Sequence, residues 1–479
     1  VLVGGWLLWK TSYYGEVLPN TFHAKVSPSR ALIAQGLLYL EVFLESYWLI
    51  PLVLLLAFHA KKLWQRSNQS FAFPALTLIV LVWLAYIVLV GGDFMEFRFL
   101  VPILPAFFIL TVWLLFVAIK ARTVTTALVF LTLLGSIHHA LSFNGWSNIE
   151  SVKHLSDYVR DKSDNWVGVG KTLGRALNYD SDVTIAVTAA GAIPYYSRLR
   201  SIDMLGMSDR WVARHGVSFN PGFPGHQRVA PLSYLIERDV NLIVGHPMIV
   251  DNGFAISRLT ESPDAFGYLK LFGANPYKVA HLLKILEVRL DPESRLLLGY
   301  LNRSATVDAA IKRNGWREYD FDPMKSELAR RPEFASYNFE KIEFASSEAE
   351  RFLWYGWAPA VPPYRWTNRP QAAIAFHLDH VVPCTLQINL QPFIVGQAHR
   401  KQKVTVVLNG TTLTSWELKE PTIKTYSLKL PVAILRQDNV LSFDLPDAES
   451  PLTLGVSEDS SLLAIDVRWL QILSESKKN

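Results

Sequence analysis

The pattern of hydrophobic and polar positions changes character near residue 143. Before it, apolar runs without charge dominate, and no Asp, Glu, Lys or Arg occurs from 67 to 92 or from 99 to 119. Each of these two runs has about the length that crosses the hydrocarbon of a bilayer as a helix. The pattern predicts an all-α transmembrane part at 1–142, with spans at 1–9, 46–59, 73–90, 100–119 and 123–141.

The apolar run at 31–60 is longer than a bilayer is thick when it is built as one helix. It carries Glu41 and Glu45, which lie one turn apart and face the same way. We therefore divide it at Glu45 into an amphipathic helix on the membrane surface and a following span.

The basic residues of the apolar part predict its orientation. Lys61, Lys62 and Arg66 occupy one connection, and Lys120 and Arg122 occupy another on the same side of the predicted spans. By the positive-inside tendency that side is cytoplasmic. Residues 143–479 are then expected outside the cytoplasm of a bacterial cell, attached to its cytoplasmic membrane by several passes.

The part after residue 143 is predicted to hold two domains. Helices at 152–159, 173–177 and 232–238 alternate with short buried strands at 183–187 and 240–244, which is typical of an α/β layer of mostly parallel strands at 143–334. Charges and prolines at 323–332 indicate a linker. Regular short strands between 374 and 472, with the turn Asn409-Gly410, predict a jelly-roll-like β-sandwich at 335–479.

Composition narrows the class of protein further. The 479 residues exceed one domain, and a formal net charge of +5 is small for that length and favours no nucleic-acid partner. The single Cys384 cannot form an internal disulfide. Gly168-Val169-Gly170-Lys171-Thr172 lacks the earlier glycine of a phosphate loop, and no metal-ligand spacing is present, although assistance by a divalent ion is left open. The chain opens on Val1 inside an apolar stretch, so we expect an N-terminal portion to be missing.

The loop Gly91–Phe99 carries the strongest candidate chemistry. Asp93, Glu96 and Arg98 stand in a short turn between two apolar runs. Charged groups are costly inside lipid, so these three are expected at the membrane surface or in a watered cavity. The alternative role for Asp93 is structural, as a cap of the turn or as an ion-pair partner of Arg98.

Three motifs in order along the chain resemble one known family. They are Tyr13-Tyr14-Gly15 with Leu18–Phe22 and Lys25, then Gly91–Met95 with Arg98 and Pro102, then Arg200–Asp209 with Gly225-His226. As a set, over roughly residues 10–250, they resemble the bacterial membrane glycosyltransferases of the C-type (GT-C) fold. Within that group, the arabinofuranosyltransferase B family of mycobacteria and corynebacteria is the match.

The resemblance implies transfer of a sugar from a polyprenyl-phosphate donor to a cell-envelope glycan acceptor outside the cytoplasm. The first external loop, where such enzymes usually carry their acidic catalytic residue, would lie upstream of Val1, so this chain alone is expected to be inactive. Such chemistry needs a base for the acceptor hydroxyl, and Asp93 and Glu96 are the candidates. It also needs cations at the donor phosphate. The predicted substrate-binding residues are Asn20, His23, Lys25, Arg98, Arg200, Asp203, Asp209 and His226.

Several of these assignments have plainer alternatives. His23 and Lys25 fit simple anchoring at the membrane interface. Asp203 and His226 fit a role in attaching the outer domain to the membrane loops. At the start of the β-sandwich, Trp357, Tyr364 and Trp366 are candidates for stacking on a polymeric glycan, or for packing of the domain.

Two rival functions belong to other classes. One is a non-catalytic, membrane-anchored glycan-binding or envelope-assembly protein. The other is a transporter, which the near absence of polar groups at mid-depth in the spans disfavours.

Overall fold

The computed structural model describes most of the chain. The described residues are 2–25, 29–67, 71–117, 121–160, 165–218, 223–262, 265–271, 274–451, 453–454, 456–457, 459 and 461–474. They form two compact units. The first comprises the described residues of Val1–Phe254, Tyr268–Phe272 and Ile285–Glu318, and the second those of Ala255–Gly267, Gly273–Lys284 and Tyr319–Asn479. The predicted domain boundaries at 142/143 and 334/335 stay a prediction.

The first unit begins with helices built from the apolar runs. They are α1 Leu2–Tyr14, α2 Asn20–Lys25, α3 Arg30–Ser46, α4 Ile50–Ser67, α5 Ala72–Val90, α6 Leu104–Val117 and α7 Arg122–Ser142. A 3₁₀ turn at Arg98–Ile103, which contains Pro102, precedes α6. Helix α5 ends because Gly91 takes a left-handed φ of 83°, which glycine adopts at little steric cost.

One helix of the described chain, Arg122–Ser142, is long and apolar enough to cross a membrane by itself. The stretches Arg30–Ser46 and Ile50–Leu63 reach that length only together, and they are bent by 106°. The predicted break near Glu45 is thereby confirmed. The full predicted set of spans goes beyond this finding and stays a prediction, as does the orientation, and Lys120 lies outside the described residues.

Helices α3 and α5 pack closely because a glycine stands at their contact. A Cβ atom on Gly36 would lie 2.5 Å from the carbonyl oxygen of Val88. Tyr39, Phe43 and Phe97 continue the contact as a buried aromatic cluster, with Tyr39 and Phe97 ring centroids 5.6 Å apart. This packing fixes the loop after α5, because Phe97 belongs to that loop.

A mixed sheet follows, in the order β2-β1-β5-β7-β6-β8. Its strands are β1 Thr184–Val187, β2 Arg200–Asp203, β5 Leu242–Asp251, β6 Lys284–Arg289, β7 Ser294–Tyr300 and β8 Arg317–Asp320. Strands β2, β1 and β5 are parallel, and β7 is antiparallel to β5. The predicted strands at 183–187 and 240–244 are thus observed as β1 and the start of β5.

The remaining elements of this part are short. The helices are α8 Val152–Arg160, α9 Trp166–Ala176, α10 Ala192–Ser197, α11 Arg210–His215, α12 Leu232–Glu237, α13 Ser257–Thr260, α14 Ala265–Tyr268, α15 Pro276–Val279 and α16 Ala305–Asn314. A small hairpin pairs β3 Val217–Ser218 with β4 Arg228–Val229. A 3₁₀ turn occupies Ala280–Leu282. Helices α13 and α15 and the first three residues of α14 belong to the second unit.

The second unit is rich in β-structure, with two facing sheets. One has the order β10-β19-β14-β17, with β12 beside β19, and the other has β11-β13-β18-β15-β16, with β9 beside β13. The strands are β9 Ala335–Ser336, β10 Ile342–Glu343, β11 Leu353–Tyr355, β12 Arg365–Trp366, β13 Gln371–His377, β14 Cys384–Pro392, β15 Gln402–Leu408, β16 Thr411–Leu418, β17 Lys424–Leu430, β18 Asp438–Asp444 and β19 Ile465–Ser474.

Alternating burial defines the inner faces of these sheets. Every second residue of β14 is buried, and Leu386, Ile388 and Leu390 are fully so. They meet Phe376 and Phe443 in one core. The predicted sandwich is confirmed as an architecture of packed sheets.

The predicted linker at 323–332 contains helix α17, Lys325–Leu328. Within the second unit, Lys325 Nζ lies 2.8 Å from Glu261 Oε1, and Arg369 Nη2 lies 2.9 Å from Glu327 Oε1. The segment is therefore held by ion pairs inside the second unit.

Candidate functional site

The loop after α5 holds a buried ion pair. The Oδ2 atom of Asp93 lies 2.6 Å from Nη2 of Arg98, with 3% of the Asp93 side chain exposed against 47% of Arg98. Burial raises the pKa of Asp93, although the charges of Arg98 and Lys25 work against that rise. Burial lowers the pKa of Lys25, and the charge of Asp93 opposes it. The structure thus brings three predicted site residues together around one carboxylate.

Glu96, the second predicted catalytic carboxylate, forms hydrogen bonds through both of its oxygens. Its Oε1 lies 2.8 Å from Nε2 of His139 at the end of α7, and its Oε2 accepts from the backbone N–H of Val152 at 2.8 Å. Val152 is the first residue of α8, so the carboxylate occupies a helix N-terminus, where negative charge is stabilised. Glu96 thereby ties the loop to α7 and α8.

The connector between α1 and α2 contacts α11 through a second carboxylate, Glu16. Glu16 forms ion pairs with Arg210, at 2.9 Å, and with Arg214, and its Oε2 lies 3.4 Å from Nε2 of His23. Arg214 also donates to Oδ1 of Asn20 at 3.1 Å. The structure therefore places the predicted residues Asn20 and His23 in this cluster.

Two predicted acids, Asp203 and Asp209, accept hydrogen bonds from groups of the surrounding α/β layer. Asp203 accepts from the backbone N–H groups of Leu205, at 3.0 Å, and Ser208, at 2.7 Å. Asp209 is the N-cap of α11, and it also accepts from the hydroxyl of Tyr234 at 3.0 Å. Both carboxylates serve local turns and caps.

Arg200 stands apart from the other predicted residues. It is exposed at the first position of β2, whereas Asp203 ends that strand. At about 3.3 Å per residue the strand separates its two ends by roughly 10 Å. The structure does not bring Arg200 to the carboxyl edge of the sheet.

A cavity of about 510 Å³ lies at that carboxyl edge, within the first unit. Residues that follow β1 and β2, together with His246 of β5, contribute to its lining, as does the Phe94-Met95 segment of the loop after α5. Its lining consists of Phe94, Met95, Glu150, Leu155, Tyr158, Trp166, Thr188, Ala189, Ala190, Gly191, Leu205, Met207, Phe223, His226, His246 and Lys270. Crevices at the carboxyl ends of parallel strands are common ligand sites in α/β proteins.

Gly245 explains how Lys270 reaches this cavity. Its φ is +58°, and a Cβ atom there would lie 3.0 Å from the carbonyl oxygen of Leu269. A larger residue would push back the chain that carries Lys270. Burial lowers the pKa of Lys270, so the cavity wall carries an ammonium group in a poorly hydrated place.

His226, a predicted binding residue, lines the same cavity. Its ring packs edge-on against Phe94, with centroids 5.0 Å apart, because the neighbouring Gly225 has a φ of +83° and leaves room for that ring. Burial, reinforced by the charges of Lys25 and Lys270, lowers the pKa of His226 to about 4. The imidazole is therefore neutral near pH 7 and able to hydrogen-bond a hydroxyl.

Glu150 is a cavity residue that the sequence analysis missed. Its Oε1 accepts from the hydroxyl of Tyr158 at 3.1 Å, and its backbone pairs with Phe94 and Glu96 of the loop after α5. Tyr158 stacks on Trp166, with centroids 4.8 Å apart. The one available signal was a single acid in the polar segment that follows the last apolar run.

The aromatic residues predicted to stack on sugars are engaged within the second unit. The indole N–H of Trp357 donates to the carbonyl of Ala373 at 2.8 Å, and its ring packs on Phe344 at 4.9 Å. Trp366 lies 6.0 Å from Tyr364, ring centroid to ring centroid. For Trp357 these contacts favour the packing alternative.

Trp357 also borders a polar pocket of about 280 Å³ in the second unit. Trp354 and Tyr355 line it beside Glu327, Arg330 and Arg369. Aromatic faces beside charged groups are suited to sugar rings, which present both C–H and hydroxyl groups. Within the described ranges, no group of three or more His, Cys, Asp or Glu residues is placed to hold a metal ion.

The fold and the site define an α/β layer with a ligand-sized cavity at its carboxyl edge, preceded in the chain by apolar helices and followed by packed β-sheets. The profile of a family described as "Domain of unknown function (DUF8728)" matches residues 157–295. The chain is 33% identical over 187 residues to the terminal beta-(1->2)-arabinofuranosyltransferase of Corynebacterium glutamicum. That match covers 35% of this chain and 26% of the relative, so the chain spans about a quarter of the relative's length. Over this stretch the chain is related to a glycosyltransferase.

Carbohydrate-binding modules are among the solved structures that align with part of the chain. A CBM36 module in complex with calcium and xylotriose is 15% identical, covers 28% of this chain and 98% of its own, and has a TM-score of 0.18. The C-terminal CBM6 of LamC from Zobellia galactanivorans is 12% identical, covers 29% of this chain and 100% of its own, and has a TM-score of 0.19. At these TM-scores the likeness supports no conclusion about the fold or the function of this chain.

Proposed function

We propose that this protein is a membrane glycosyltransferase that moves a sugar from a polyprenyl-phosphate donor to a glycan of the cell envelope. The sugar that the sequence motifs and the corynebacterial relative favour is arabinofuranose. One observation carries the proposal. A carboxylate, Glu150, and the basic side chains of His226, His246 and Lys270 surround one largely apolar cavity beside the loop after α5.

The reaction needs a base at the acceptor. An acceptor hydroxyl attacks the anomeric carbon, the bond from that carbon to the phosphate oxygen breaks with its electron pair on phosphate, and the hydroxyl proton passes to a base. Glu150 lines the cavity, whereas Asp93 is outside that lining, buried and paired with Arg98. We assign Glu150 as the base and Asp93 as the group that positions Arg98 and Lys25.

The cavity also suits the sugar of the donor. The aromatic pair of Tyr158 and Trp166 offers faces for a sugar ring. Lys270 lines the same cavity, and its ammonium group is able to donate hydrogen bonds to sugar hydroxyls. Glu96 acts on this site indirectly, because it holds the Phe94-Met95 segment against α8.

The test is sugar transfer from a synthetic polyprenyl-phosphate sugar to a synthetic acceptor by the full-length protein. Glu150→Gln should lower kcat by roughly 10²- to 10⁴-fold. Its melting temperature should stay near wild type, because the Tyr158 hydroxyl can still donate to the amide oxygen. Glu41→Gln, at an exposed position of α3, is the matched control. Full activity of Glu150→Gln at normal stability would remove it from the site, and the same measurement on Asp93→Asn decides whether the base is Asp93.

The proposed location is the bacterial cytoplasmic membrane, with residues 143–479 on its outer side. A reporter that is active only in the cytoplasm, fused after Asn479, should be silent. A reporter fused in the connection that contains Lys61 and Lys62 should be active. The opposite pattern would overturn the proposed orientation.

A second candidate function is non-catalytic glycan binding, favoured by the polar pocket beside Trp354 and Tyr355. In that case the chain should bind envelope glycans on an array, and Trp354→Ala should abolish binding while Glu150→Gln leaves it unchanged. Sugar transfer that is lost in Glu150→Gln would favour the glycosyltransferase over the non-catalytic glycan-binding protein.

A further inference from the structure

A second cavity of about 660 Å³ in the first unit contains a basic cluster that the sequence analysis did not identify. Helix α1 contributes Lys10, Tyr13 and Tyr14 to its lining, and helix α11 contributes Arg210 and Arg214. The connector between α1 and α2 closes it. The cavity therefore joins the end of an apolar helix to the α/β layer.

Positive charge exceeds negative charge in this cavity. Glu16 is the one carboxylate among its described lining residues, and it pairs with Arg210 and Arg214. The third cation, Lys10, donates to the backbone carbonyl of Val17 at 2.8 Å. Glu16 Oε1 lies 2.9 Å from Nη2 of Arg210, while 62% of the Arg210 side chain is exposed. A guanidinium has five N–H donors, so one shared carboxylate holds the arginines in place and leaves donors for a further anion.

Next to the cations, helix α1 presents an exposed apolar face. Trp6 is 55% exposed and Trp9 is 57% exposed. Lys10 Nζ lies 5.4 Å from the Trp6 ring, and Trp9 stacks on Tyr13 with centroids 5.6 Å apart. Exposed Trp and Tyr beside a Lys are typical of the level at which lipid head groups lie. A ligand that fits both features has a phosphate head and an apolar tail.

The second cavity adjoins the first one. Met207 belongs to the lining of both, which it shares with His226 in the first cavity and with Arg210 in the second. A group that extends past Met207 from the basic cluster would enter the cavity that contains Glu150.

We propose that Lys10, Arg210 and Arg214 bind the phosphate of a lipid-linked phosphate, so that the group attached to that phosphate projects past Met207 into the cavity of Glu150. This inference rests on the proposed function for the role of the projecting sugar. The phosphate site itself stands on the basic cluster and the apolar face of α1.

Binding to the chain in detergent tests the inference, with geranylgeranyl phosphate and inorganic phosphate as separate probes. The lipid phosphate should bind more tightly than inorganic phosphate, since the tail gains contacts with α1. Arg210→Gln and Lys10→Gln should each weaken lipid-phosphate binding by roughly ten- to a hundredfold, the effect of losing a hydrogen bond to a charged group. Arg303→Gln is the matched control, because Arg303 is 58% exposed and paired with Glu318 at 2.7 Å in the same unit. It should bind as wild type does.

Three outcomes separate the possibilities. Wild-type binding by both Arg210→Gln and Lys10→Gln, with normal melting curves, would overturn the phosphate site. Equal affinity for inorganic and lipid phosphate would overturn the lipid part. If binding falls as predicted but the full-length protein transfers no sugar, the phosphate site stands and the proposed function fails. If Glu150→Gln abolishes transfer while Arg210→Gln binds and transfers normally, the function stands and this inference fails.

Discussion

The carboxylate of Asp93 and the guanidinium of Arg98 lie 2.6 Å apart, with the acid buried and the base half exposed. Only four residues separate them along the chain, and they close the turn that carries Phe94 and Met95 into the cavity. The ion pair therefore helps to position two residues of the cavity wall.

Asp93→Asn should destabilise the protein because it breaks a buried ion pair. We expect the free energy of unfolding to fall by about 1 to 3 kcal/mol. This loss is smaller than the loss for a fully buried ion pair, because Arg98 is half exposed to water. Chemical unfolding of Asp93→Asn, Arg98→Gln and the double variant forms a cycle, with Glu41→Gln as control. A coupling energy of about 1 kcal/mol is expected, and strictly additive effects would contradict the structural pairing.

Glu96→Ala should destabilise the protein through two lost partners. The Val152 N–H and the His139 ring would lose their acceptor, at a cost of about 1 to 3 kcal/mol. Adding His139→Phe should recover part of that loss, because the imidazole is removed while a ring can still stack on Tyr47, whose centroid lies 4.2 Å from that of His139. Melting curves of the single and double variants measure this recovery. A double variant less stable than Glu96→Ala would show that the Glu96–His139 contact matters little.

His226 should make stability depend on pH in the acid range. Burial lowers its folded pKa from the ordinary 6.5 to about 4, so between these values the unfolded chain binds a proton that the folded chain does not. Stability is then full above about pH 6.5 and decreases as the pH falls through 4, by roughly 3 kcal/mol in all. His226→Gln should flatten this slope, whereas Phe223→Leu, beside the same ring, should keep it. Unfolding free energies at pH 7.5, 6 and 4.5 provide the measurement, and an unchanged slope in His226→Gln would refute the assignment.

Trp357→Ala should lower the free energy of unfolding, because the Trp357 side chain packs inside the second unit. The ring packs on Phe344, and its N–H satisfies the Ala373 carbonyl, so truncation should cost about 2 to 4 kcal/mol for this partly buried side chain. Trp357→Phe should recover part of the loss, and Val432→Ala, at an exposed position of the same unit, should cost little. Chemical unfolding of the chain compares them. A stable Trp357→Ala variant that fails to bind glycans would restore the stacking role.

The sequence by itself determined the features whose causes are local. Helix α5 and its end at Gly91 follow from an uncharged run closed by a glycine, and the break after Ser46 follows from a run too long for one span. Alternating burial in β14 and β15 was readable because side chains on a strand alternate between faces. The Asn409-Gly410 turn was readable because both residues take positive φ, 50° and 82°, and few residue types favour that conformation.

Only the tertiary structure decided which polar groups meet. Glu16 and Arg210 are almost two hundred positions apart, and Glu150, His226 and Lys270 line one cavity although they belong to three separate loops of the chain. Arg200 and Asp203 share a motif, yet a strand places them at opposite ends. Hydrophobic periodicity reports which face of an element is buried, and it contains no information about which distant charge will neutralise another. The assignment of Glu96 to a helix N-terminus and of Glu150 to a cavity therefore depended on packing between elements that are far apart in the chain.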